Sequence, residues 1–107
     1  MNNKNHILKA LHDLSRRMFP TGKGKVFLYG SRAEGKAGPD SDWDVLIITE
    51  DALNSNDNYK KYAFPYAELG WKYGEQITPI HYSESEWAAE ANTAFYLNVK
   101  KSLVPIL

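Results

Sequence analysis

The residues with the clearest chemical potential lie in the segment 26–48, VFLYGSRAEGKAGPDSDWDVLII. An apolar run there ends in Gly30-Ser31, and two carboxylates, Asp42 and Asp44, follow one residue apart. A strand that ends in Gly-Ser and enters a helix leaves backbone N–H groups aimed at open space. Glycine lets a phosphate approach the backbone, serine adds a hydroxyl donor, and a helix N-terminus adds positive potential. If residues 42–44 are extended, both carboxylates leave the same face, with their Cα atoms about 6.5–7 Å apart. Such a pair repels itself unless a cation sits between. Hard oxygen ligands suit Mg²⁺ or Mn²⁺, ions that keep waters and bind substrate phosphates.

Taken singly, both signals are weak. Gly-Ser is common in turns, and Asp-x-Asp is equally the solvated start of a strand. Their succession in one short segment is more specific and points to chemistry on a nucleotide phosphate. Neither the P-loop pattern GxxxxGK[ST] nor the dinucleotide fingerprint GxGxxG is present. Arg32 and Lys36 are close enough to add positive charge, or else they are solvated.

The flanking elements must position these groups. Ile7, Leu8, Leu11, Leu14 and Met18 recur at helical spacing, so residues 4–18 read as an amphipathic helix stopped by Pro20 and Gly22. Its Arg16 and Arg17 fall in the last turn, where positive charge is favourable. His6 and His12 read as surface residues. The run 26–29 is a strand, nearly continuous in apolar character, which implies cover on both faces. A short helix is expected over 31–37, a turn at Asp40-Ser41 and a second strand over 43–49, with Trp43 facing away from the carboxylates.

Residues 50–58 read as a polar loop. Tyr59, Tyr62, Ala63, Tyr66, Leu69 and Tyr73 fit one side of a helix that kinks at Pro65 or starts near it, and that Gly74 ends. A third strand follows over 76–82, and Pro79 argues that it lies at an edge, at least on its Pro79 side, or is irregular there. Ser83 and Glu86 form a capping-box pattern that opens a helix over 84–91. The tail is open to two elements, a helical turn over 98–101 and a short strand over 103–107. The expected architecture is a single α/β (α+β) domain over residues 1–107, a small mixed sheet with helices packed on it.

Composition narrows the class. The chain has 107 residues, 43% hydrophobic, enough for one core. No stretch approaches the roughly 20 apolar residues that cross a membrane, and MNNKNHILK lacks the apolar segment of a signal peptide. The absence of cysteine fits a cytoplasmic protein and excludes thiolate metal sites. Residues 1–25 carry six Lys/Arg against one Asp, and residues 26–57 carry two against seven Asp/Glu. That layout suits a metal site around Asp42 and Asp44 better than nucleic-acid binding, which would ask for a basic surplus.

The segments Gly30-Ser31-Arg32-Ala33-Glu34-Gly35 and Ser41-Asp42-Trp43-Asp44-Val45 together resemble the nucleotidyltransferase domain of the DNA polymerase beta superfamily, in its minimal form. The resemblance implies the polymerase beta palm-like fold, with Gly30-Ser31 on the triphosphate of a nucleotide, ATP foremost, and with Arg32 and Lys36 nearby. It implies Asp42 and Asp44 as catalytic metal ligands. The implied reaction moves a nucleoside monophosphate from a nucleoside triphosphate onto a protein or small-molecule hydroxyl and releases pyrophosphate.

Such domains usually carry a third Asp on the following strand. Here that strand reads Glu75-Gln76-Ile77-Thr78-Pro79-Ile80-His81-Tyr82, and Thr78 takes the comparable position. Glu75 or Glu68 as a substitute, a partner that completes the site, and a nucleotide-binding domain without efficient turnover acting as an antitoxin-like interaction module are the open alternatives. His81 falls on the strand face opposite Thr78. The chain has no room for an acceptor domain, and minimal members of this group often work with an all-helical protein partner. The aromatic second half would supply that interface, a homodimer contact, or simply this domain's own core.

Overall fold

The strand Trp43–Thr49 is the centre of the molecule, with almost every side chain buried on one face or the other. In the computed structural model, which describes residues 3–50 and 55–107, the elements run α1 (Asn3–Met18), β1 (Gly24–Tyr29), α2 (Ser31–Glu34), β2 (Trp43–Thr49), α3 (Ser55–Asn58), α4 (Phe64–Tyr73), β3 (Ile77–Ser83), α5 (Glu84–Ala89), α6 (Ala94–Lys100) and β4 (Val104–Pro105). The four strands form one sheet in the order β3-β2-β1-β4. β1 pairs antiparallel with β2 and β4, while β2 and β3 run parallel. A parallel neighbour needs a long crossover, and the helices between β2 and β3 supply it.

Alternation along β2 divides the core. Trp43, Val45 and Ile47 join Ile7, Leu11, Val26, Leu28, Tyr62 and Tyr66 in the main cluster, between the sheet and the helices α1 and α4. Leu46 and Ile48 face the other way and meet Val99 of α6, with Phe27, Tyr82 and Trp87 around them. β1 departs from the two-sided cover expected of its apolar run. Val26 and Leu28 are buried, whereas Phe27 and Tyr29 are only partly so, because the short C-terminal elements cover that face incompletely.

Residues 51–54 of the expected loop lie outside the described residues, and 55–58 are helical instead. They open a continuous helical run through a π-helical turn, Tyr59–Ala63, into α4. Pro65 cannot donate to the carbonyl four residues back, and the wider i→i+5 turn before it lets the run pass the proline. The Phe64 N–H accordingly reaches the Tyr59 carbonyl. The widened turn also shifts the phase of the helix, so Tyr59 is 49% exposed while Tyr62, Ala63 and Tyr66 are buried. Tyr73, expected on the same face, is 44% exposed in the last turn. Gly74 ends α4 in the left-handed conformation, φ 70°.

Pro79 lies in β3 at the end of the sheet, an edge that tolerates its missing N–H. Both halves of the Ser83/Glu86 capping box form, although α5 stops at Ala89 rather than residue 91. Thr93 caps α6 by accepting from the Tyr96 N–H at 3.1 Å, so that helix starts earlier than the expected turn over 98–101. The final strand shortens to two residues against β1. No helix among the described residues is long and apolar enough to cross a membrane.

Candidate active site

β1 delivers the chain to Gly30, whose φ of 74° and ψ of −156° suit glycine alone. The turn leads into α2, which is a single turn and not the 31–37 helix expected, because Gly35 closes it at φ 73°. So short a helix has little macrodipole, and any grip on an anion would rest on local backbone and side-chain donors. The Ala33 and Glu34 N–H groups both donate to the Gly30 carbonyl at 3.1 Å, which leaves the Ser31 and Arg32 N–H groups outside the intrahelical ladder. Ser31 is partly buried, and Lys36 is exposed just past the end of α2.

Sheet register brings Asp44 to this turn. Tyr29 pairs with Asp44 across β1 and β2, and Asp44 pairs with Thr78 across β2 and β3. The three side chains therefore form a row on one face. A Cβ placed on Gly30 would stand 2.5 Å from Asp44 Oδ2, so the turn and the carboxylate are in direct contact. Asp42 precedes β2 and is exposed. The Thr78 hydroxyl donates to Asp42 Oδ2 at 3.4 Å, so the residue at the expected third-carboxylate position touches the acidic pair as a neutral donor.

Electrostatics follow from this packing. Burial raises the Asp44 pKa above the usual carboxylate value, and the Asp42 charge raises it further. Burial, then Asp44, then Tyr82 push the Tyr29 phenol up to about 12, so it stays a neutral hydrogen-bond donor.

Arg32 is engaged within the chain. Its Nε and a terminal nitrogen donate to the Ser41 carbonyl at 3.2 and 2.8 Å, and the same terminal nitrogen reaches the Pro39 carbonyl at 3.4 Å. The guanidinium lies 4.3 Å from the ring centroid of Trp43, which is fully buried on the opposite sheet face from the carboxylates. Arg32 thus ties α2 to the segment that carries Asp42. The Trp43 indole N–H beneath is buried without a hydrogen-bond partner.

The other candidates lie elsewhere. Glu68 is exposed on α4. Glu75 lines an open cleft of about 840 Å³ on the β3 edge with Tyr59, Trp71, Thr78 and Pro79. Among the described residues no three His, Asp or Glu side chains gather closely enough to hold a metal ion, so neither glutamate completes the pair. His81 packs on the core face, stacked on Tyr62 at 4.8 Å between centroids and 2.8 Å from the Thr49 hydroxyl. His6 and His12 are exposed.

Residues that the sequence did not single out also reach the turn. Ser102 Oγ accepts from the Gly30 N–H at 3.4 Å, across 72 residues of chain. Phe95 of α6 stands edge-on to Tyr29, 6.1 Å between centroids. Neither shows a local pattern, since the contacts depend on the C-terminal elements folding back over β1.

A family model described as the nucleotidyltransferase domain matches residues 6–91. The chain belongs to that family. A solved structure described as "Crystal structure of the toxin-antitoxin with AMP-PNP" is similar to it at 15% identity, with a TM-score of 0.59 over 90% of this chain and 72% of that one. At that identity the likeness concerns the fold, and it agrees with the mixed sheet and packed helices of this nucleotidyltransferase domain. No curated protein matches the chain. Membership makes nucleotidyl transfer the relevant class of chemistry, and it fits the contact of Gly30 with Asp44.

Proposed function

We propose that this domain binds a divalent-metal complex of a nucleoside triphosphate, ATP foremost, and transfers the nucleoside monophosphate to a hydroxyl of a protein or small molecule. The observation that carries the reading is the contact between Gly30 and Asp44, which joins a donor-rich turn to an acidic pair. The neighbouring solved structure, described as holding AMP-PNP, is consistent with it.

The donor set fits a hard cation. Two carboxylates converge, Asp44 has a raised pKa partly because of the Asp42 charge, and the Thr78 hydroxyl adds an oxygen. Asp42 and Asp44 would hold Mg²⁺ or Mn²⁺, with substrate phosphate oxygens and waters completing the shell. When bound, the ion would neutralise phosphate charge and lower the acceptor's pKa.

The chain's own residues supply the rest. The Ser31 hydroxyl and the free N–H groups of Ser31 and Arg32 take the phosphates, Lys36 adds charge, and Arg32 keeps Asp42 in place through Ser41. In the reaction the acceptor oxygen forms a bond to the α-phosphorus, the α–β bridging bond breaks, and pyrophosphate leaves. The acceptor's proton passes to solvent, since Thr78 cannot take it. The cleft beside Thr78 gives an acceptor a way in on the side of the acidic pair away from β1.

Thr78 also supports a second reading, in which the domain binds the nucleotide, turns it over weakly and acts through a protein partner. Toxin–antitoxin association, named for the neighbouring structure, gives that reading its model. Incubation with α-³²P-labelled ATP, Mg²⁺ and candidate acceptors distinguishes them. Transfer of label with release of pyrophosphate, lost in Asp44→Asn, is expected for the enzyme. Binding without transfer supports the second reading, and label transfer unchanged in Asp44→Asn contradicts the site.

A further inference from the structure

The Gly30 turn has a second wall built from residues beyond the family match, which ends at residue 91. The chain after α6 folds back so that the Ser102 hydroxyl meets the Gly30 N–H. Beside this contact lies a cavity of about 450 Å³, lined by Tyr29, Gly30, Phe95, Asn98, Lys101 and Ser102 among others. That volume is in the range of small-molecule sites. Because Tyr29 is the register partner of Asp44, the cavity opens at the same end of the strands as the acidic pair.

The cavity's charge is mixed. Glu34 is its lining carboxylate and Lys101 its lining ammonium, and no ion pair joins the two. Lys101 is exposed, one residue before the serine that touches the turn. An ammonium on a flexible stem is a compact phosphate binder that can swing toward an arriving anion. The Ser102 hydroxyl, already on the Gly30 N–H, holds that stem beside the turn.

We propose that residues 94–102 form the second wall of the nucleotide site and that Lys101 binds the polyphosphate across from Gly30-Ser31. This rests on the triphosphate reading above and adds to it a contact from outside the matched family region. Phe95, edge-on to Tyr29, borders the same cavity and would flank the nucleoside.

Isothermal titration of the full chain with Mg²⁺–ATP and, separately, with Mg²⁺–tripolyphosphate tests this. Lys101→Ala is expected to weaken both by about tenfold, the scale of one charge-assisted hydrogen bond. Its thermal melting should be unchanged, and Lys101→Arg should restore most of the affinity. If Lys101→Ala binds both as the native chain does, while Asp42→Asn loses them, the second wall is wrong and the nucleotide reading stands. Weakened ATP with unchanged tripolyphosphate overturns the phosphate contact. A native chain that binds neither ligand overturns this proposal together with the reading beneath it.

Discussion

Gly30 and Asp44 are packed so closely that a single added Cβ on the first would stand 2.5 Å from a carboxylate oxygen of the second. Backbone conformation and side-chain packing thus demand glycine at the same position, where β1 ends and the acidic pair begins. Gly30→Ala is expected to cost about 1–3 kcal/mol from the unfavourable φ/ψ alone, with a further cost as Asp44 is displaced. Urea unfolding measures the loss, and the variant should also bind Mg²⁺–ATP poorly. A stability equal to the native chain's would show that the turn is looser than this packing implies.

Arg32 holds Ser41 and Pro39 by their carbonyls and covers Trp43, so its removal should loosen the segment leading to Asp42. Arg32→Ala is expected to destabilise the domain by about 1–2 kcal/mol. Arg32→Lys should cost nearly as much, since an ammonium reproduces neither the planar stack nor the forked donors. Chemical denaturation of both variants checks this, and full rescue by lysine would argue that only charge matters at this position.

His81 gives a pH signature. Burial lowers its pKa below the ordinary 6.5, against a smaller opposing effect from Glu86. The unfolded chain therefore takes up the proton first as pH falls. The neutral imidazole imposes no penalty above about pH 6.5, and stability drops as pH falls through that value toward the lower folded pKa. In His81→Gln this component is absent, so its stability deficit should narrow between about pH 7.5 and about pH 5.5. Parallel stability profiles for the two proteins would contradict the assignment.

Thr78 stands opposite Asp44 in register and touches Asp42, so Thr78→Asp puts a third carboxylate beside the pair. Without metal the new charge should lower thermal stability by like-charge repulsion, and millimolar Mg²⁺ should restore more than it adds to the native chain. Transfer activity should rise. Melting curves with and without Mg²⁺ test the first half, and a variant indifferent to the ion would place Thr78 outside the metal's reach.

What the sequence revealed follows from the range of the interactions. The amphipathic stripe of α1, the three main strands, the edge placement of Pro79 and the Ser83/Glu86 cap all arise from neighbours a few residues apart, and each is visible as local pattern. Thr78 was legible only as the residue at the resemblance's third-carboxylate position, and its pairing with Asp44 came from the sheet register. The phase of the run through Tyr59 was not legible, because the π turn before Pro65 breaks the 3.6-residue period on which the reading relied. Arg32's bonds to backbone carbonyls leave no mark in residue type. The meeting of Ser102 with Gly30 was beyond reach as well, since it depends on a two-residue strand closing a loop of 72 residues.

In the proposed site Asp42 and Asp44 would hold a divalent cation on phosphates gripped at Gly30-Ser31. Crystals grown with Mn²⁺ and a non-hydrolysable nucleoside triphosphate test it most directly, through the anomalous signal of manganese. The expected result is an anomalous peak in coordinating contact with both carboxylates and with phosphate oxygens, with the phosphates against the Ser31 hydroxyl. Triphosphate bound elsewhere, or manganese absent from the Asp42–Asp44 pair while nucleotide is present, would contradict the account.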